Sequence, residues 1–294
     1  MKRFVFKIYE ALFSRPFRRD TKHALYCVEE EGLEHYVSSG FSVCDDVAHF
    51  INIAKFTPIR NLELRCIDEL DFRRIIRIAS RHLITIDMIS DMSDLRILSE
   101  CTKLERIDIS ARSEQVYLPD ISSLSGLQSI KLSLDTKEII NTESLKSQSL
   151  AELKIDTVCK PGFAVVDAEI RDFSFLLTLP SLRKLTLMVK SKKDPYDDLV
   201  TLGKLTELRE LTLAPDYFNK EEYAWLSSKL PHTKGLDGYY CIRKDSQKDC
   251  IRYIMLGEHE DMLFEDGERS TEYYQSFRTL VGEFKAHTAP PRRS

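Results

Sequence analysis

The stretch ISDMSDLRILSECTKLERIDIS, residues 89–110, decides the architecture of this chain. It closes on Leu104-Glu-Arg-Ile107-Asp-Ile109, the spacing L-x-x-L-x-L, in which the last apolar residues alternate with polar ones. Alternation with a period of two describes a short strand with one buried side. One such strand cannot bury that side alone. The spacing recurs from Ile59, Arg81, Leu104, Leu127, Leu150, Leu182 and Leu208, mostly at steps of 22 or 23 residues. Recurrence at a fixed period predicts a solenoid, in which each unit completes the core of its neighbours. The expected strand cores are Leu62/Leu64, Ile84/Ile86, Ile107/Ile109, Ile130/Leu132, Leu153/Ile155, Leu185/Leu187 and Leu211/Leu213.

Working outward, Leu95 and Leu98 precede the strand and are expected on the opposite, convex side. The same phrasing returns in LPDISSLSGLQSIKL (118–132), RDFSFLLTLPSLRKLTL (171–187) and LVTLGKLTELRELTL (199–213). These segments resemble the short leucine-rich repeats of bacterial internalin-type proteins and of the phosphatase-regulating repeat family, over roughly residues 57–216. The resemblance implies an α/β leucine-rich-repeat solenoid with a parallel β-sheet on its concave face. One departure stands out. The family's Asn, three residues after the last core leucine, is replaced by Ile67, Ile89, Arg112, Asp135, Val158, Lys190 and Asp216. Without that ladder, less uniform turns are expected.

Two steps are long, adding Thr157–Arg171 and Ser191–Asp198, and insertions in a repeat array emerge as loops on one edge. Residues 1–56 read as a helical N-terminal cap, because a terminal repeat otherwise leaves its apolar end in water. Residues 217–294 read as a small α+β module, a C-terminal cap with a disordered tail. Its elements are a helix over Lys220–Leu230, strands over Tyr239–Lys244 and Cys250–Leu256, and a helix over Ser270–Lys285.

A formal net charge of −4 disfavours a dedicated nucleic-acid binder, which needs a dense basic face. No stretch reaches the roughly 18–20 apolar residues that span a bilayer, so no membrane role is expected. The opening MKRFVFKIYEALFSRPFRRD carries arginines where a secretory peptide has small residues. Its basic residues read as a solvated edge of the cap. Seven cysteines without a C-x-x-C pair fit reduced thiols, and the chain is expected to be a cytoplasmic monomer.

Chemistry is sparse. There is no G-x-G loop, H-E-x-x-H or G-x-S-x-G, so no enzyme, cofactor or metal is expected. The run Glu258–Glu268, with His259 among carboxylates, reads as an acidic turn rather than a metal site. Cys66 reads as structural. What remains is a surface. Side chains between and beside the core pairs point away from the core, giving a central column Glu63, Thr85, Asp108, Lys131, Lys154, Thr186 and Thr212. Flanking columns hold Arg106 and Lys184 on one side and Asp87 on the other, and none holds an aromatic residue. The expected function is a non-enzymatic scaffold gripping a protein partner through Glu63, Arg106, Asp108, Lys131, Lys154 and Lys184. The loop residues Lys192, Lys193 and Tyr196 are expected to assist. The alternatives are an inhibitor or immunity-type regulator of a toxin or enzyme and, more weakly, an enzyme in the C-terminal module using Cys241, Cys250 or His259.

Overall fold

The computed structural model describes residues 26–28, 35–37, 59–65, 69–157, 168–214, 217–244, 251–257 and 267–291. Its spine is one parallel ladder. The repeat strands are β3 (Asn61–Arg65), β4 (Thr85–Ser90), β5 (Arg106–Arg112), β7 (Ser129–Asp135), β9 (Glu152–Thr157), β11 (Lys184–Leu187) and β13 (Glu210–Leu213). They pair in that order within a nine-stranded sheet. Parallel neighbours in unbroken register stack like side chains on like, which an array of equivalent units requires. Leu62, Ile86, Ile107, Ile130, Leu153, Leu185 and Leu211 form one buried row. Leu64, Met88, Ile109, Leu132, Ile155, Leu187 and Leu213 form the second. Burying each such side chain contributes roughly 1.5–3 kcal/mol, and contiguous rows make that core continuous along the stack. The expected leucine-rich-repeat solenoid with a parallel sheet is what the structure shows.

One unit is out of phase with its expectation. The second core pair is Ile86/Met88, not Ile84/Ile86, because Leu62 faces Ile86 and Leu64 faces Met88. The unit therefore begins at Leu83, which is buried, rather than Arg81, which is exposed. A slip of two residues leaves the inside–outside alternation unchanged, so the strand pattern alone does not detect it. Asp87 thereby moves into the central column and Thr85 leaves it.

The turns after the strands are more regular than expected. The short strands β6 (Gln115–Tyr117), β8 (Glu138–Ile140), β10 (Glu169–Ile170) and β12 (Lys190–Ser191) form a second parallel sheet along one flank. Val116, Ile139, Ile170 and Val189 are buried beneath it. The convex side carries single 3-10 turns at Arg96–Glu100, Thr142–Ser144 and Ser174–Thr178. Ser and Thr hydroxyls link the coils on this side. They donate to carbonyls one coil back: Ser149 to Leu127 at 2.8 Å, Thr178 to Leu145 at 3.0 Å, Ser181 to Gln148 at 2.6 Å and Thr233 to Leu208 at 2.9 Å. Thr136 does the same to Glu114 at 3.0 Å. Each bond gives a turn carbonyl a donor, which buried turns require.

The ends are closed differently from one another. Tyr26–Val28 and His35–Val37, expected within a helical cap, are strands β1 and β2 instead. They pair antiparallel, and β2 continues the large sheet parallel to β3, with Tyr36 facing Leu62. Both carry aromatic and β-branched residues that favour extended backbone, and they pair the edge that β3 would otherwise leave open. Other residues of 1–58 lie outside the described residues. After β3 comes helix α1 (Glu69–Ala79), which buries Phe72, Ile75 and Ile76.

At the other end, Lys234 makes a single parallel bridge to Glu210, and Gly235 follows at φ +94°. A Cβ on Gly235 would lie 2.0 Å from the carbonyl oxygen of Leu211, so only glycine lets the chain turn this close to the last strand. The C-terminal elements match their sequence reading. Helix α3 (Lys220–Lys229) opens with a capping box between Asn219 and Glu222. A hairpin of β14 (Tyr239–Lys244) and β15 (Ile251–Met255) precedes helix α4 (Gly267–Phe284), which packs on α3.

Two buried carboxylates lock these ends. Asp94 accepts from Arg96 at 2.9 and 2.7 Å and from Arg73 of α1 at 2.6 Å. The Arg96 guanidinium holds its carboxyl down at about 2, against the opposing effect of burial. Asp198, 1% exposed, lies in helix α2 (Pro195–Leu202). It accepts from the Phe173 amide at 3.1 Å and the Tyr217 hydroxyl at 2.8 Å. Burial pushes its carboxyl above the ordinary range, with the Tyr217 bond opposing. The same Tyr217 oxygen accepts from the Ser191 amide at 3.2 Å, closing the edge of the second sheet.

Candidate functional site

The concave face follows from the register. Its central column is Glu63, Asp87, Asp108, Lys131, Lys154, Thr186 and Thr212, each opposite the next. The first flanking column is Asn61, Thr85, Arg106, Ser129, Glu152, Lys184 and Glu210. By position within each strand, the other flank is Arg65, Ile89, Ser110, Ser133, Asp156, Met188 and Ala214. From Thr85 on, strand alternation turns these away from the leucine core. From Thr85 to Ala214, every residue of these columns is half-exposed or exposed.

The central column is sorted by charge. Three acids on consecutive rungs are followed by two lysines and then two threonines. Like charges on adjacent rungs, about 4.8 Å apart, repel each other and lower stability. Asp87 and Asp108 are exposed, whereas the side chain of Glu63 lies outside the described residues. The lysines are held by half-exposed partners: Lys131 meets Glu152 at 3.4 Å and Lys154 meets Asp156 at 3.1 Å. Lys184 meets Glu210 at 3.2 Å, and Arg106 stands exposed beside Asp108. Across the same rungs Ser129 donates to Glu152 at 2.8 Å, and Thr85 donates to Asn61 at 2.7 Å. Arg112 and Asp135 extend the face by one more pair at 2.7 Å.

The structure thus brings Arg106, Asp108, Lys131, Lys154 and Lys184 onto one surface. It separates Lys192, Lys193 and Tyr196 from them. The expected 191–198 loop is strand β12 running into helix α2. Asp194 caps that helix by accepting from the Tyr196 amide at 2.9 Å. Lys192 is held by Glu138 of β8, which lies in the flank sheet, and this contact raises the Lys192 ammonium above its ordinary range. Lys193 meets Asp172 at 3.3 Å, just before a convex 3-10 turn. Asp-Pro at 194–195 is a strong helix start (a capping Asp before a Pro at the first helical position), and that signal outweighs the loop reading.

Sequence reading puts Asp87 in a flanking column of this face and leaves Ile89 off it. Asp87 belongs to the central column, and Ile89 beside it is 47% exposed. The sequence Leu83-Ile84-Thr85-Ile86-Asp87-Met88 carries the signal, once methionine is admitted at the last leucine position. Off this face, a groove of 530 Å³ is lined by Ser93, Glu114, Gln115, Tyr117 and Lys137. A second, of 350 Å³, is lined by Lys146, Arg171, Asp172 and Lys193. The Cys101 thiol is buried, and burial pushes it up to about 12, which leaves it unreactive. Among the described residues no group of His, Cys, Asp and Glu is arranged to hold a metal ion. Cys66, Cys250, His259 and the run 258–266 lie outside the described residues, as does the side chain of Cys241.

No family model matches the sequence, and no curated protein matches it. Among solved structures, an internalin (InlF) from Listeria monocytogenes is similar over 64% of this chain, at 17% identity and a TM-score of 0.42. The match covers 56% of that protein, so this chain spans little more than half of its length. A likeness of that degree carries no argument about the site. The repeat fold rests on the register above.

Proposed function

We propose that this protein is a non-enzymatic scaffold that holds a protein partner against the concave face of its large sheet. The observation carrying this reading is the central column. Acids and lysines are sorted along a sheet face open to solvent, an arrangement onto which an opposite pattern of charge can be laid. Seven rungs at about 4.8 Å span roughly 30 Å, the scale of a protein interface rather than of a small-molecule pocket. The columns of the seven repeat strands carry no aromatic residue, so binding there rests on charge, which gives fast association that is steeply dependent on salt.

The test is capture of a binding protein from extract of the source cells, with immobilised wild type beside Lys131→Glu/Lys154→Glu and Asp87→Lys/Asp108→Lys. The expected result is a protein retained by the wild type and lost from both variants, while their circular dichroism stays unchanged. Retention by both variants as strong as by the wild type would move the interface off this face.

A further inference from the structure

We propose that the partner element received by this face is an α-helix lying across the strands, with a cationic segment over Asp87 and Asp108 and an anionic segment over Lys131 and Lys154. This inference rests on the binding reading above and adds the shape and charge order of what is bound.

Spacing selects the helix. A ligand running along the central column meets one rung about every 4.8 Å. A helix presents one side chain per turn to such a line, every 5.4 Å or so. An extended strand presents alternate residues, roughly 6.7 Å apart. Asp87 and Lys154 are separated by three rung steps, through Asp108 and Lys131. Across those steps a helix drifts out of match by about 2 Å, which long charged side chains absorb, and a strand by about 6 Å, more than a whole rung. Only the helix keeps four consecutive contacts in step.

The surroundings accommodate it. Of the four residues flanking the middle rungs, Ser110, Ser129 and Ser133 have short side chains that leave those positions low, and Arg106 is the fourth. A cylinder about 10 Å across needs that clearance to reach the central row. Ile89, one strand position past Asp87 on the exposed side, offers an apolar contact at the acidic end. The pairs of Lys131 with Glu152 and Lys154 with Asp156 are half-exposed, so water still reaches the groups that would exchange those partners for carboxylates of a ligand. Segregation, rather than direction, is what the column reads, since a helix laid either way round can present its basic half to the acids.

The probes are three synthetic peptides of one composition, measured by fluorescence anisotropy at low ionic strength. In the first, a helical face carries lysines on two successive turns and then glutamates on two. The second alternates them, and the third keeps the first order with a central proline. The segregated peptide is expected to bind at least about tenfold tighter than either control. The paired exchange Asp108→Lys/Lys131→Asp, which preserves net charge, is expected to erase that preference.

Equal binding of the segregated and alternating peptides, or of the proline peptide, overturns the proposal, as does no binding of any. If that happens while capture of the cellular protein still depends on Asp108 and Lys131, the concave interface stands and the helical partner falls. If capture is also indifferent to those residues, both fall.

Discussion

The carboxylates at the two ends of the array are both sealed from water, yet they are poised in opposite directions. Asp94, 7% exposed, sits between two guanidiniums that hold it ionised down to about 2. Asp198, 1% exposed, is met by neutral donors, the Phe173 amide and the Tyr217 and Ser191 hydroxyls, and burial raises it. The first is an ionic clasp between α1 and the convex turn. The second is a hydrogen-bonded joint between the flank sheet and the C-terminal cap. Burial alone therefore does not set the behaviour of a carboxylate; the charge of its donors does.

Removing either carboxylate separates the two cases. Asp94→Ala has the largest expected effect, a loss of about 2–3 kcal/mol in urea unfolding at neutral pH, because the two arginines lose their common acceptor. The wild type should show the same loss on acidification. Asp94 is depressed in the fold, so its contribution is present above about 4 and disappears as pH falls through about 2. A pH series in which Asp94→Ala keeps the full acid-induced loss would break the account of the clasp.

Next in size, Tyr217→Phe removes one of the donors of Asp198 and leaves the Ser191 amide without its acceptor, at a cost of about 1–2 kcal/mol. Asp198→Asn is expected to lie within about 1 kcal/mol of the wild type, and on the stabilising side at neutral pH. The sign is the reverse of that for Asp94. A raised carboxyl favours the fold while protonated, and that stability is lost as pH climbs from about 4 through its folded value. The asparagine variant should therefore flatten the decline in stability above pH 4. A steeper decline would mean that Asp198 is stabilised as an anion after all.

The smallest effect is expected on the concave face. Exchanging Lys131→Glu with Glu152→Lys should change unfolding by less than about 0.5 kcal/mol, since exposed pairs contribute little. A larger loss would make that face part of the scaffold's own stability and weaken its reading as a docking surface.

Much of this was legible in the residues. The spacing around Ile107/Ile109 and its recurrences state the solenoid, and the apolar runs after residue 217 mark α3, the hairpin and α4 within three residues. The misphased second unit shows the limit of alternation, which is blind to a shift of two. The flank sheet was hidden for another reason. Strands of two or three residues, such as Glu169–Ile170, leave no period to read. The strands of the N-terminal edge were hidden too, because Tyr26–Val28 and His35–Val37 are extended through pairing with each other and with β3, a partner distant in sequence.

Local periodicity thus determined by itself that the chain stacks parallel rungs around a leucine core, since that pattern is written within each unit. Only the tertiary structure decided the phase of the second unit, and with it the place of Asp87 between Glu63 and Asp108 in the concave column. It alone decided the hydroxyl ladder and the opposite poise of Asp94 and Asp198. Each of these depends on which residue of one coil meets which residue of the next, a distance in space that no single unit encodes.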